Sequence, residues 1–365
     1  MDRHLHIVCL DVPWPADYGG AIDMMNRIMM LKKLGIRIHL HYFSYNERGM
    51  PNELNQFCET LNVYQRKMGR EGFSLSLPYI ISSRISDELI THLQNDDHPI
   101  LLEGVHCTGI LPQLDTTKRK VVVRMHNEES IYYKELARSE PRLIKKIFFF
   151  NESRLLKKYN HHLPDQYVYA CVSEKDTLIL KEEFHLSHAV FIPIFPDWQR
   201  VCGEEGTGNL CLYHGNLSVP ENEQSATWLL RKVFTKIRVP FVIAGKKPSR
   251  RLQKLAHLCQ HTCIVADPSK EEMDDLVRKA HINVLPCNNK NTTGIRLKLL
   301  HALFEGRHCL VNDTMVEGTG LESACHIGSN ADAFASIISQ LYHQPFTTEE
   351  ITLRKRLLAN TYNNE

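Results

Sequence analysis

The residues best suited to chemistry lie in one stretch, Asn291-Thr292-Thr293-Gly294-Ile295-Arg296-Leu297-Lys298-Leu299-Leu300-His301-Ala302. It follows a strand-like run, Ile282-Asn283-Val284-Leu285-Pro286-Cys287, so a polar loop with two threonines and a glycine opens an amphipathic helix. The spacing predicts Arg296 and Lys298 in the first turn, with Thr292 or Thr293 capping the exposed amides. Two cations at a helix start oppose the macrodipole and do little for helix stability. They make sense if an anion docks there, on free N–H groups and the positive dipole end. We read the segment as an anion site in preference to a solvated helix start. Lys246 and Lys247, in a second strand-to-helix turn after Gly245, either add charge to that site or are plain surface lysines. Gly19 and Gly20, after the first strand, either let backbone approach a phosphate or form an ordinary turn.

The elements that must hold these residues alternate. Short apolar runs at 6–10, 36–43, 100–103, 121–123, 167–172 and 190–192 are separated by helical stretches such as 21–34, 142–159 and 174–183. A segment rich in glycine, proline and acidic residues, 196–209, interrupts the pattern, and the alternation then restarts at 210–213. The expected fold is α/β, with two Rossmann-like doubly wound domains facing a cleft. The predicted division is an N-terminal domain over 1–195, a linker over 196–209, a C-terminal domain over 210–345, and a final segment, 346–365. The 365 residues suit two domains, and 43% apolar content suits globular cores. A net charge of +2 argues against a dedicated nucleic-acid binder.

The order of these features resembles the GT-B glycosyltransferases of the retaining "group 1" (family 4-like) type, over nearly the whole chain. Pro13-Trp14-Pro15 with Tyr18-Gly19-Gly20 resembles the glycine-bearing loop after the first strand. Arg124-Met125-His126-Asn127-Glu128, followed by Tyr132-Tyr133, resembles the histidine-bearing stretch. His214-Gly215-Asn216 resembles the opening strand-turn of the C-terminal half, and Ala244-Gly245-Lys246-Lys247-Pro248 the strand-glycine turn that approaches the nucleotide. Thr293 to Leu300 resembles the donor-binding helix start, and Val316-Glu317-Gly318 the turn after the next strand. Many relatives carry a pair of glutamates across this helix. The matching positions here hold Thr293 and His301, although the start approximates a Gly-Thr-Arg-Leu-Lys variant without the first glutamate.

The resemblance implies a glycosyltransferase of the hexosyltransferase class, working in polysaccharide biosynthesis. It would move a hexose from a nucleotide-diphosphate sugar to a glycan or lipid-linked acceptor, with no cofactor and no metal. Gly19, Gly20, Gly245, Lys246, Thr293, Gly294, Ile295, Arg296 and Lys298 would bind the donor, and His126 would contact the transferred sugar. His106 is a secondary candidate. Glu128 and Glu129 would serve as base or acceptor contacts, or simply start the next helix favourably. The final segment would cross back to the first domain. Two other readings stay open: a catalytically degenerate homologue acting as a binding or partner subunit, and a GT-B-shaped sugar-nucleotide epimerase.

The remaining features bound the setting. Eleven scattered cysteines without a CxxC pair read as reduced core residues in a cytoplasmic protein. No apolar run approaches the roughly 18 residues of a membrane span. Twenty histidines show no HExxH and no close ligand set beyond adjacent pairs such as His161-His162, which predicts no metal site. The stretch 142–159 mixes Arg142, Lys145, Lys146, Arg154, Lys157 and Lys158 with Ile144, Ile147, Phe148, Phe149 and Phe150. It reads as a basic amphipathic helix whose aromatic face packs on the core, with peripheral contact at an inner membrane face as the alternative.

Overall fold

A computed structural model describes residues 3–16, 18–44, 51–288, 294 and 296–362. The chain divides after Asp197 into two compact units; the second runs from Trp198 onward, apart from a short stretch around Gly294. Thr293 and Ile295 lie outside the described residues, as do Thr292 and Asn291.

The first unit is built on a parallel sheet that has seven strands among the described residues: β1 (Arg3–Cys9), β2 (Ile36–Ser44), β3 (Thr60–Gln65), β4 (Ile100–Glu103), β5 (Val121–Met125), β6 (Val168–Cys171) and β7 (Ala189–Phe191). Their order is β3-β2-β1-β4-β5-β6-β7, so the winding reverses between β1 and β4. Helices cover both faces, and the strands are buried on both. Ile7, Cys9, Leu40 and Tyr42 enter one core; Val8, Phe43, Leu102 and Val123 enter the other. Because β4 touches apolar neighbours on both sides, its sequence is an unbroken run, Ile100-Leu101-Leu102-Glu103, and all four residues are buried.

The second unit repeats the scheme with β8 (Cys211–His214), β9 (Phe241–Gly245), β10 (Thr262–Ala266), β11 (Ile282–Leu285), β12 (His308–Val311) and β13 (His326–Ile327). The order is β10-β9-β8-β11-β12-β13, all parallel, with the reversal between β8 and β11. Residues expected as a linker are stitched to this unit. The Cys202 amide donates to the Phe304 carbonyl at 2.7 Å, and Gly206 forms a bridge with Phe346. The last helix, Thr348–Thr361, also packs within the second unit. Its buried Arg354 donates to the carbonyls of Gly306 and Arg307, and its cation lies 4.4 Å from the centre of the Phe346 ring.

Candidate active site

In an open parallel sheet, ligands gather at the carboxyl ends of the strands where the winding reverses. In the second unit that point is the end of β8 and β11. The helix following β11 spans Leu297–Glu305, later than the sequence predicts. Arg296 is its N-cap, with φ −99° and ψ 76°, and makes no side-chain capping hydrogen bond; Thr292 and Thr293, the expected caps, lie outside the described residues. The Arg296 carbonyl accepts from the Leu299 amide at 2.8 Å and from the Leu300 amide at 3.3 Å. Arg296 reaches the Thr314 carbonyl at 3.4 Å. Lys298 folds back over the sheet: its Nζ donates to Asn222 Oδ1 at 2.9 Å and lies 5.2 Å from the centre of the Tyr213 ring. Burial pushes its pKa down to about 8, partly offset by Cys287 and Glu221. It lies in the first turn, as the spacing predicts, and is a desolvated cation at the switch point.

Two glycines have demonstrable reasons. A Cβ on Gly245 would stand 1.8 Å from the Gly215 carbonyl oxygen, so the turns after β8 and β9 touch only because that position is glycine. Gly294 has φ +73°, in the left-handed region. Lys246 is exposed at the neighbouring turn. His214, ending β8, was not among the predicted site residues. It is 4% exposed, and its Nε2 has no hydrogen-bond partner among the described residues. Burial holds it well below the usual imidazole range, so it is a neutral, unspent polar group at the reversal point.

His301, at the position of the absent glutamate, is turned to packing. Its ring stacks on Trp198 at 4.8 Å between centroids, and Nε2 is 2.8 Å from Asp274 Oδ1.

In the first unit the reversal lies between β1 and β4. Gly19 and Gly20 open the helix Gly19–Lys33 there; its N-cap Tyr18 makes no side-chain capping bond, its hydroxyl donating to Asp11 at 3.3 Å instead. A Cβ on Gly20 would meet only the Tyr18 ring, at 3.1 Å. His126, just beyond β5, sits in a buried charge cluster. Its Nε2 hydrogen-bonds Glu103 Oε2 at 3.1 Å, and Nδ1 is 3.6 Å from Asp23 Oδ2. Arg27 pairs with both acids, and Arg124 donates to Asp23 at 3.0 Å. Burial alone would raise Glu103 and Asp23. That is the largest single influence on each, but Arg27, joined by Arg124 and His126 at Asp23 and by His126 at Glu103, together outweigh it, so both carboxylates are held below their ordinary range. Arg124 also donates to the Ile192 and Pro193 carbonyls at 2.5 and 2.9 Å, which ties β5 to the segment after β7.

The two glutamates after His126 separate in role. Glu128 caps the helix Glu129–Ser139, accepting from the amides of Ser130 and Ile131. Glu129 is 5% exposed, and burial pushes its pKa up to about 8, so it is mainly protonated at neutral pH. His106 Nδ1 is buried without a partner among the described residues. Burial, then Arg84 and His126, hold that ring far below the usual imidazole pKa.

The helix Leu143–Asn160 departs from expectation. Its C-terminal half packs inward through Leu156, Ser153 and Asn160. Its N-terminal half does not: Leu143, Ile144, Ile147 and Phe150 are 53–85% exposed, beside exposed Lys145 and Lys146. The expected packing of the aromatic face on the core is therefore corrected for Phe150, while Phe149 packs edge-on to Tyr133.

No protein-family profile matches the chain. It is 27% identical, across 86% of its length and 84% of the relative's, to a Klebsiella pneumoniae protein described as an uncharacterized 44.6 kDa protein in cps region. Solved structures similar to it include a variant of S. aureus TarM in complex with fondaparinux, alpha-GlcNAc-glycerol and UDP. That likeness has a TM-score of 0.65 and 10% identity, covering 100% of this chain and 97% of that one. Sucrose-phosphate synthase from Thermosynechococcus elongatus gives 0.69 and 11%, covering 99% and 95%. MurG of Acinetobacter baumannii gives 0.51 and 13%, covering 100% and 96%. At these identities the likeness establishes the fold, which is GT-B.

Proposed function

We propose that this protein is a glycosyltransferase that moves a hexose from a nucleoside-diphosphate sugar to a glycan or lipid-linked acceptor. The observation that carries the reading is the cationic, uncapped helix start of Arg296 and Lys298 at the β8–β11 reversal. A diphosphate leaving the anomeric carbon gains negative charge while the sugar becomes oxocarbenium-like. Fixed cations and helix amides stabilise that change. Lys298 suits the task because burial leaves it short of counter-charge, which a diphosphate supplies. Gly245 and Lys246 would border the nucleotide, and the uncapped start at Gly19 and Gly20 would meet phosphate. His126 would contact the transferred sugar through Nδ1, its Nε2 being held by Glu103. That a similar TarM structure contains UDP and a GlcNAc-glycerol supports the substrate class. The cps-region relative supports a role in polysaccharide assembly.

The acceptor side of this proposal uses the helix Leu143–Asn160. Exposed Leu143, Ile144, Ile147 and Phe150 would enter the headgroup boundary of an anionic membrane, with Lys145 and Lys146 on its phosphates. Among the described residues no helix is long and apolar enough to cross a membrane.

One observation favours a second reading, a degenerate partner subunit: His301 is occupied by Trp198 and Asp274 where relatives carry a glutamate. Incubation with UDP-sugars, with and without lipid-linked acceptor, separates the two. Release of free nucleoside diphosphate only with acceptor supports the transferase. Binding of nucleotide without any turnover supports the subunit.

A further inference from the structure

The first unit also carries imidazoles that play no part in this chemistry. Strands β1 and β2 both contain His-Leu-His: His4-Leu5-His6 and His39-Leu40-His41. Side chains alternate along a strand, so Leu5 and Leu40 join the core on one face and the four histidines share the other. The parallel register sets His6 against His39. This group lies toward the amino ends of the strands, away from His126.

The histidines fall into two sets. The deeper set is closed on itself. Asp96 contacts His6 Nε2 at 3.1 Å, His6 Nδ1 contacts His41 Nε2 at 2.9 Å, His41 Nδ1 contacts the Tyr64 hydroxyl at 2.8 Å, and that hydroxyl contacts His92 Nδ1 at 2.7 Å. Both nitrogens of His6 and His41 are used. The outer set is His4, His39 and His98, all half-buried and open to solvent. One ring nitrogen from each lies within 4.8 Å of the others, and His4 Nδ1 is 2.9 Å from His39 Nε2.

We propose that His4, His39 and His98 form a three-histidine site for a divalent transition-metal ion of the zinc type. Zinc–nitrogen bonds of about 2.0–2.1 Å place tetrahedral ligand nitrogens about 3.3 Å apart. The 2.9 Å His4–His39 separation is close to that value and the His98 nitrogen lies within 4.8 Å of both, so small side-chain rotations would close the site. The Thr60 hydroxyl holds the His39 ring, 2.9 Å from Nδ1, and in the tautomer whose Nδ1–H donates to it the Nε2 lone pair faces His4. Asp96 adds negative charge 4.0 Å from His98 Nε2, and it is fixed by Arg119 at 3.0 Å and by the His98 amide at 2.9 Å. Three imidazoles and an open fourth position suit zinc, nickel or copper rather than calcium or magnesium. The ion would clip β1, β2 and the turn before β4 together.

The test is calorimetric titration of the EDTA-treated full chain with zinc chloride, paired with thermal melting and the visible spectrum of the cobalt form. Expected are one saturable equivalent, a raised melting temperature, and the intense visible bands of tetrahedral cobalt. His39→Gln and His98→Gln should each weaken binding by about tenfold or more, whereas His162→Gln, in the surface pair, should not. Melting in EDTA checks that each variant folds, and His4→Gln replaces any that does not. Absence of saturable zinc binding, or binding unchanged in the folded variants, overturns the proposal.

Discussion

Glu129→Gln should make this protein more stable at alkaline pH while changing little in acid. The carboxyl is 5% exposed and rises from an ordinary 4.5 to about 8, first through burial; Glu128 and Asp176 add to the rise and the Asn127 hydrogen bond opposes it. A folded-state pKa raised above the unfolded one means that the native state holds its proton more tightly. The contribution to stability is whole below about pH 4.5 and is lost as pH climbs through about 8. At about 1.4 kcal/mol per pH unit, the rise corresponds to a ceiling of about 5 kcal/mol at pH 9. Glutamine keeps the shape and cannot ionise, so the variant escapes that loss. At about 2–4 °C per kcal/mol for a unit of this size, the variant should melt at least several degrees above the wild type at pH 9 and near it at pH 5. The assay is differential scanning calorimetry of both proteins at the two pH values, following the transition of the first unit. An equal difference at both pH values would refute the idea that Glu129 is a protonated buried acid beside His126.

Arg296→Ala should weaken UDP binding by about 1.5–3 kcal/mol, the range for a hydrogen bond to a charged group; unchanged affinity in calorimetry with the fold intact removes Arg296 from the site. Lys298, with its pKa lowered to about 8, is charged below that pH, so diphosphate binding near pH 8 should take up a proton. Binding enthalpies that do not depend on the buffer's ionisation heat would contradict this. On the proposed role, in which the side chain meets the sugar and not the nucleotide, His126→Ala should cut turnover and leave UDP affinity nearly intact; normal turnover sinks that role. Ile144→Asp combined with Phe150→Asp should abolish sedimentation with anionic vesicles, and retained binding would rule out this helix as the membrane contact.

The sequence by itself determined the alternation of elements and pointed to a candidate anion site. Strands buried on both faces must be apolar throughout, so 100–103 was legible to the residue. The Gly294-to-Lys298 spacing was legible because its charges contradict helix stability and therefore point to a ligand. Edge strand β3 escaped, since Thr60-Leu61-Asn62-Val63-Tyr64-Gln65 is only partly buried and lacks such a run.

Tertiary structure decided everything that depends on which segments meet. Local pattern cannot tell that His4 faces His39, although the repeated His-Leu-His was a signal that went unread, because histidine spacing was judged along the chain and not across neighbouring strands. Nor does it tell that Asp23, Glu103 and Arg124, from three separate elements, surround His126. The helix Leu143–Asn160 makes the same point. Its amphipathic pattern was visible, but Ser153 bonding the Ser130 carbonyl and Asn160 bonding Glu128 determine which half is buried. Periodicity records how a residue relates to its own helix or strand. Burial, pKa and ligand geometry depend on partners distant in sequence, and only the folded chain brings those together.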